Sequence, residues 1–127
     1  KNPSAEMLAA ATDTITIIPN PTDSEMYTLI QQAQVLVLPS FQNTGMKLKL
    51  LSSLFAGRFI LLNKSDVDSG IKKGLLMAAD TAEYKEKVLM TMNQEFSEVA
   101  LNERKVQMQP YMNEAGAQII AHFLSKQ

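Results

Sequence analysis

Four short runs of mostly apolar residues are spaced along the chain, and segments with helical periodicity separate most of them. The runs cover residues 15–18, 35–38, 59–62 and 75–78. Pro19-Asn20-Pro21 closes the first run, and Pro39-Ser40 closes the second. A continuous apolar run of this length, ended by turn residues, is typical of a buried strand. The pattern therefore predicts four strands, of which the fourth is short.

Turn and capping residues mark the starts of the predicted helices. A short helix with Met7, Leu8 and Ala11 follows a turn at residues 2–4, and the remaining helices are predicted at 22–34, from about 46 to 56, and at 80–92, 97–106 and 112–125. Pro110 separates the last two. Strands that are apolar throughout and alternate with helices predict an α/β fold, a parallel sheet with helices on both faces. We expect residues 1–127 to form a single domain.

Composition excludes several classes of protein but does not identify the function. The chain has 127 residues, 46% of them hydrophobic and 20% charged, as in an ordinary globular domain. The formal net charge is −1 and the lysines are scattered, so the sequence shows no positive patch of the kind that binds nucleic acid. The absence of cysteine excludes disulfides, and a single histidine argues against a zinc site. No apolar run approaches the roughly 20 residues of a spanning helix. We expect a cytoplasmic protein, and, because no initiator Met is present, a piece of a longer chain.

The turn after the second run is the best candidate for ligand binding. Residues 40–45 leave a predicted strand and lead into a helix that begins at about Met46. Gly45 allows a close approach of the backbone, and the free N–H groups of a helix start favour an anion. Lys47 and Lys49 lie in the first turn, where an anion would offset their conflict with the helix dipole. The alternative is that both lysines are merely solvated. Neither common nucleotide fingerprint is present.

Two further motifs favour structural over functional interpretations. His122 lies among apolar residues of the last predicted helix, and a packing or surface role is favoured over catalysis. Asp66 and Asp68 resemble part of a calcium loop, but the distal Glu of that pattern is missing. A solvated loop is the favoured interpretation, and no metal site is predicted.

The order of these features resembles a known family. The segments VLVLPS and TGMKLKLLSSLFAGRFILLN are similar to the donor-binding half of GT-B glycosyltransferases, in the group 1 class of retaining enzymes. That family commonly has a strand ending in Pro-Ser, a loop, a helix that begins at a glycine, and an apolar strand after Ala-x-Gly. The resemblance covers about residues 15–125 and is most specific over 35–63. It implies a Rossmann-like domain that is a partial C-terminal half of a GT-B fold.

The resemblance also implies a donor-binding site. Thr44, Gly45 and Met46 would meet the sugar and diphosphate of a nucleotide-sugar, and Lys47 or Lys49 would add charge there. Pro19 and Asn20 would lie near the base, and residues 65–70 would border the cleft. The family typically has two glutamates eight positions apart, which contact the sugar and the ribose, and Thr44 and Ser52 stand at those positions here. No catalytic residue, metal or cofactor is carried over; the nucleotide diphosphate sugar is the donor substrate.

The expected function follows from the resemblance. The intact protein is expected to be a cytoplasmic glycosyltransferase of cell-surface polysaccharide biosynthesis, which transfers a hexose from a nucleotide diphosphate sugar to an acceptor hydroxyl. The acceptor-binding N-terminal domain would be a missing partner, so the fragment alone would be inactive. The alternative is a non-catalytic GT-B-like binding or scaffold module that has lost its glutamates. A flavodoxin-like signalling domain is a third reading, but the acidic cluster of a receiver is not visible.

Overall fold

The computed structural model describes residues 2–39, 48–63 and 75–114, which form helices around a small sheet. The elements are α1 (Ala5–Ala9), α2 (Asp23–Gln32), β1 (Val35–Leu38), α3 (Leu48–Ala56), β2 (Phe59–Asn63), β3 (Leu75–Ala78), α4 (Thr81–Met92), α5 (Glu98–Met108) and a 3₁₀ helix (Gln109–Tyr111). The predicted strands at 35–38, 59–62 and 75–78 are confirmed, the second with one additional residue, Asn63.

The sheet is parallel, with strand order β1-β2-β3. Val35 pairs with Phe59 and Ile60 pairs with Leu75, so the three strands begin together at one edge. The central strand β2 is the most deeply buried: Ile60, Leu61 and Leu62 are at most 2% exposed. A strand enclosed on both faces has no solvent-facing positions, which is why its sequence is apolar without alternation. The mixed α/β class and the parallel sheet are therefore confirmed.

Helices cover both faces of this sheet. On one face, Ile60 and Leu62 of β2 form a core with α3 and α5; its buried members are Leu50, Leu54, Ile60, Leu62 and Met108. Side chains alternate along a strand, so Asn63 lies on the opposite face from Leu62. There its Oδ1 accepts a hydrogen bond from the Tyr84 hydroxyl of α4, at 2.8 Å. Thus α3 and α5 lie on one face and α4 on the other, which agrees with the prediction that helices cover both faces.

Side-chain caps fix the helix starts. Thr22 and Glu25 form a reciprocal capping box at the start of α2. Asp80 accepts from the backbone N–H of Glu83 at the start of α4, and Ser97 caps α5 in the same way. Each cap supplies an acceptor to a backbone N–H that has no partner within the helix. The predicted starts of these three helices are confirmed, whereas α2 ends two residues earlier than predicted and α5 continues two residues further.

The predicted first strand, residues 15–18, is wrong. Ile15 instead forms an isolated antiparallel bridge with Thr12, and its backbone N–H and C=O are both used there. Ile15 and Ile18 are 49% and 47% exposed. Local hydrogen bonds within residues 12–15 therefore replace strand pairing, and Pro19 and Pro21 have no N–H with which to continue a ladder. The start of α3 near Met46, most of the predicted helix 112–125, and His122, Asp66 and Asp68 lie outside the described residues.

The start of β2 is braced by α5. The Arg104 side chain is only 2% exposed, and its Nη1 and Nη2 donate to Gly57 O at 2.7 Å and to Arg58 O at 2.6 Å. Its guanidinium carbon lies 4.7 Å from the centroid of the Phe96 ring. Phe96 in turn packs edge-on against Phe59, with the ring centroids 5.3 Å apart. These contacts fix the segment through which the chain passes from α3 into the central strand.

Candidate functional site

The carboxyl ends of the three strands form one edge of the sheet. Leu38 pairs with Leu62, and Asn63 pairs with Ala78, so β1, β2 and β3 end within one residue of each other. In open parallel sheets, ligands bind at this edge, where the strands lead into the next helices. The candidate site is therefore built around Pro39, Asn63 and Ala79, together with the helices that begin here.

Helix α4 begins at this edge with two carboxylates. Asp80 Oδ1 accepts from the Glu83 N–H at 2.9 Å, and Glu83 Oε2 accepts from the Ala79 N–H at 3.0 Å. Lys87 Nζ lies 3.6 Å from Glu83 Oε2 and offsets part of the negative charge. Because both carboxylates already accept the N–H groups at this helix start, it is a poor place for an anion.

Helix α3, which follows β1, has the opposite charge character. Its first described turn contains no acidic residue and contains Lys49, whose side chain is exposed. The other α-helices in the described ranges all have at least one acid in the first turn: Glu6 in α1, Asp23 and Glu25 in α2, Glu83 in α4, and Glu98 in α5. Among the described α-helices, α3 therefore has the first described turn that best suits an anionic ligand.

The predicted donor-binding residues on α3 lie on one side of the helix. Lys49 and Ser52 are three residues apart and both are exposed, so their side chains are neighbours on the helix surface. Ser53, by contrast, is 2% exposed and belongs to the inner face. The remaining predicted residues of this turn, Thr44, Gly45, Met46 and Lys47, lie outside the described residues.

Pro19 and Asn20, predicted to lie near a nucleotide base, are both exposed. Asn20 has φ 47°, in the left-handed region that asparagine tolerates better than most residues. Its Nδ2 donates to Asn2 Oδ1 at 2.6 Å. This contact joins the two ends of the segment from residue 2 to residue 20.

A side-chain pair at the carboxyl edge was not predicted from the sequence. Asn63 ends the central strand, and its carboxamide is held by the Tyr84 hydroxyl; both residues are half-buried. In the sequence, Asn63 reads as the first residue of a polar loop, and Tyr84 as one residue of a charged helix. A polar residue that directly ends an apolar strand is the available signal, but nothing in the sequence pairs it with Tyr84.

The opposite edge of the sheet holds an open cleft of about 420 Å³. It is lined by Phe59, Leu75, Leu76, Gln94, Glu95, Phe96, Ser97, Ala100 and Arg104. Phe59 and Leu75 are the first residues of β2 and β3, so the cleft lies at the amino edge, away from the predicted site. Burial lowers the pKa of the Arg104 guanidinium, which nevertheless stays protonated because arginine is so strongly basic.

Comparisons with protein-family models, with curated proteins and with solved structures find no match to this chain. Among residues 2–39, 48–63 and 75–114, no three His, Cys, Asp or Glu side chains are grouped so that they could hold a metal ion. In the same ranges, none of the helices is both long enough and apolar enough to cross a membrane.

Proposed function

We propose that this chain is the nucleotide-sugar donor-binding part of a glycosyltransferase with GT-B architecture. The intact protein would transfer a hexose from a nucleotide diphosphate sugar to an acceptor hydroxyl supplied through a second domain. The observation that carries the proposal is the first described turn of α3. It follows a strand at the carboxyl edge of a parallel sheet, and it has an exposed lysine and no acid in its first described turn.

In this proposal, the chain would contribute electrostatic stabilisation of the leaving group. A departing nucleotide diphosphate gains negative charge as the bond to the sugar breaks, and helix N–H groups and lysines stabilise that charge without accepting a proton. Backbone groups of Thr44, Gly45 and Met46, with Lys47 and Lys49, would hold the two phosphates. The chain would thereby orient the sugar for attack by an acceptor bound elsewhere.

Isothermal titration calorimetry with UDP-, GDP- and ADP-sugars tests the proposal. The wild-type chain should bind at least one of them, and Lys49→Gln should weaken that binding about 3- to 10-fold, since a near-surface ion pair contributes roughly 1 kcal/mol. Lys85→Gln removes the same charge from an exposed position on α4, and should leave affinity within about 2-fold. Failure of all three nucleotide-sugars to bind would refute the donor-binding function.

The alternative is a non-catalytic module of the same architecture. Its basis is that Thr44 and Ser52 stand where the family has two glutamates. Ser52 is exposed, so Ser52→Glu can be introduced without disturbing the core. A carboxylate there could accept two ribose hydroxyls, which a serine is too short to do, and affinity should rise up to about 10-fold. Donor binding without transfer or hydrolysis by the full-length protein would favour the module; turnover would favour the enzyme.

A further inference from the structure

We infer that the surface formed by α1 and α2 is a docking site for a basic amphipathic helix of a partner protein. This α1–α2 surface carries four large apolar side chains that are between 45% and 57% exposed: Met7 and Leu8 on α1, and Met26 and Tyr27 on α2. None of residues 2–29 is buried. Single exposed apolar side chains are ordinary, but a group of them on neighbouring elements marks an interaction surface. The inference does not depend on nucleotide-sugar binding.

A hydrogen bond brings the starts of the two helices together. Asn20 Nδ2 donates to Asn2 Oδ1 at 2.6 Å. Two residues beyond each partner lies a helix cap: Ser4 caps α1 and Thr22 caps α2. The two helices therefore begin in the same part of the surface, although α1 and α2 are separated by a turn and two prolines in the sequence. Their apolar side chains can contact one partner.

Charge determines which partner fits this surface. Residues 2–39 contain four acidic residues, Glu6, Asp13, Asp23 and Glu25, and no lysine or arginine. Three of the four lie in the first turns of α1 and α2, beside the apolar side chains. A second copy of the chain, an anionic membrane or a nucleic acid would each bring negative charge against these acids. A helix with an apolar face and flanking lysines or arginines matches both the apolar side chains and the acids.

Isothermal titration calorimetry with two synthetic peptides tests the inference. Both peptides have about 18 residues and the same leucine face at helical spacing, with lysines on the other face of one and glutamates on the other face of the second. The lysine peptide should bind the protein. Its affinity should fall several-fold between about 0.05 and about 0.5 M salt, because salt screens charge pairs near the surface. Equal binding of the two peptides would overturn the assignment of a basic partner.

Matched substitutions test where the lysine peptide binds. Met26→Lys replaces an apolar contact by a repelling charge and should weaken binding about 10-fold, as should Leu8→Lys on α1. Met90→Lys is the control, since Met90 is 50% exposed on α4. Helix α2 packs against α3, on the opposite face of the sheet from α4, so the control should stay within about 2-fold. Equal affinities for Met26→Lys and Met90→Lys would overturn the inference, and a loss at Met26 alone would overturn the part assigned to α1.

Two further measurements test the other occupants. Sedimentation velocity of the protein alone should show a monomer, and flotation with phosphatidylglycerol vesicles should leave the protein unbound. A dimer that Met26→Gln weakens would assign the surface to a second copy, and vesicle binding would assign it to a membrane; either result overturns the basic partner. Failure of the lysine peptide to bind at about 1 mM would also overturn it, whether or not a nucleotide-sugar binds.

Discussion

Arg104 supports a strong prediction about stability, because a buried guanidinium joins two distant parts of the chain. Arg104→Met keeps an unbranched side chain that can fill much of the same space, but it removes every hydrogen-bond donor. The carbonyl oxygens of Gly57 and Arg58 would lose donors that now lie at 2.7 and 2.6 Å. The variant should therefore loosen the entry into β2, the central strand of the sheet.

The expected loss is about 2–4 kcal/mol of unfolding free energy. Two hydrogen bonds from a charged donor contribute roughly 1.5–3 kcal/mol each, and the contact with the Phe96 ring at 4.7 Å adds about 0.5–2 kcal/mol. Against this, burying the charge costs several kcal/mol, which the Met variant recovers. The lowered pKa of Arg104 has the same cause, desolvation of the charged form. A domain of this size has roughly 5–15 kcal/mol in total, so the effect is large.

Urea unfolding followed by far-UV circular dichroism measures the loss as a shift of the midpoint by about 1–2 M, for a slope near 2 kcal/mol per molar. Arg58→Met is the matched control: Arg58 is exposed and its Nη1 lies 3.3 Å from Gln34 Oε1, so its replacement should cost less than about 1 kcal/mol. Arg104→Lys should fall between the two, since one ammonium cannot donate to both carbonyls in the fork geometry of arginine. Equal midpoints for Arg104→Met and Arg58→Met would refute the claim that the Arg104 hydrogen bonds stabilise the start of β2.

Two further predictions concern other parts of the fold. Gly57→Ala should destabilise the domain by about 1–3 kcal/mol, because a Cβ there would overlap Leu36 Cδ1 and stand 2.7 Å from the backbone oxygen of Ser53; an unchanged melting temperature would contradict it. At the start of α2, the Thr22 backbone N–H and then its hydroxyl donate to Glu25 and lower the pKa of that carboxyl. The stability that these hydrogen bonds provide is present above the unfolded-state pKa and is lost as the pH falls through the lower folded-state pKa. The difference in urea midpoint between wild type and Glu25→Gln should therefore shrink as the pH is lowered from neutral into the acid range. A difference that does not depend on pH would contradict the capping box.

The sheet could be predicted because a strand that is buried on both faces appears in the sequence as a continuous apolar run. Ile60, Leu61 and Leu62 are all inaccessible to solvent, since helices cover both faces of β2. Every position must then be apolar, and the run is visible without any knowledge of the neighbours. Helix starts are equally local signals: Asp80 and Ser97 accept hydrogen bonds from residues three positions on. A pattern of this kind needs no tertiary information.

Residues 15–18 show where the same reasoning fails. Their composition is as strongly β-forming as that of β1, yet Ile15 bonds to Thr12, three residues away, and lies half exposed. Strand formation depends on a partner edge as well as on intrinsic preference, and a sequence run does not say whether that edge is available. The local turn competed for the backbone groups that a ladder would have used.

The hydrogen bond between Tyr84 and Asn63 at the carboxyl edge, in contrast, depends on tertiary structure. Tyr84 reaches Asn63 across 21 positions, and neither residue changes the periodicity around it. The charge difference between α3 and α4, in contrast, is already present in the sequence as Lys49 against Asp80 and Glu83. The fold places these opposite charges near each other, because both helices follow strands that end at the same edge of one sheet. A diphosphate close to these near-surface groups would gain or lose roughly 1 kcal/mol per charge pair. An anion at this edge should therefore be drawn towards α3 and away from the two carboxylates of α4.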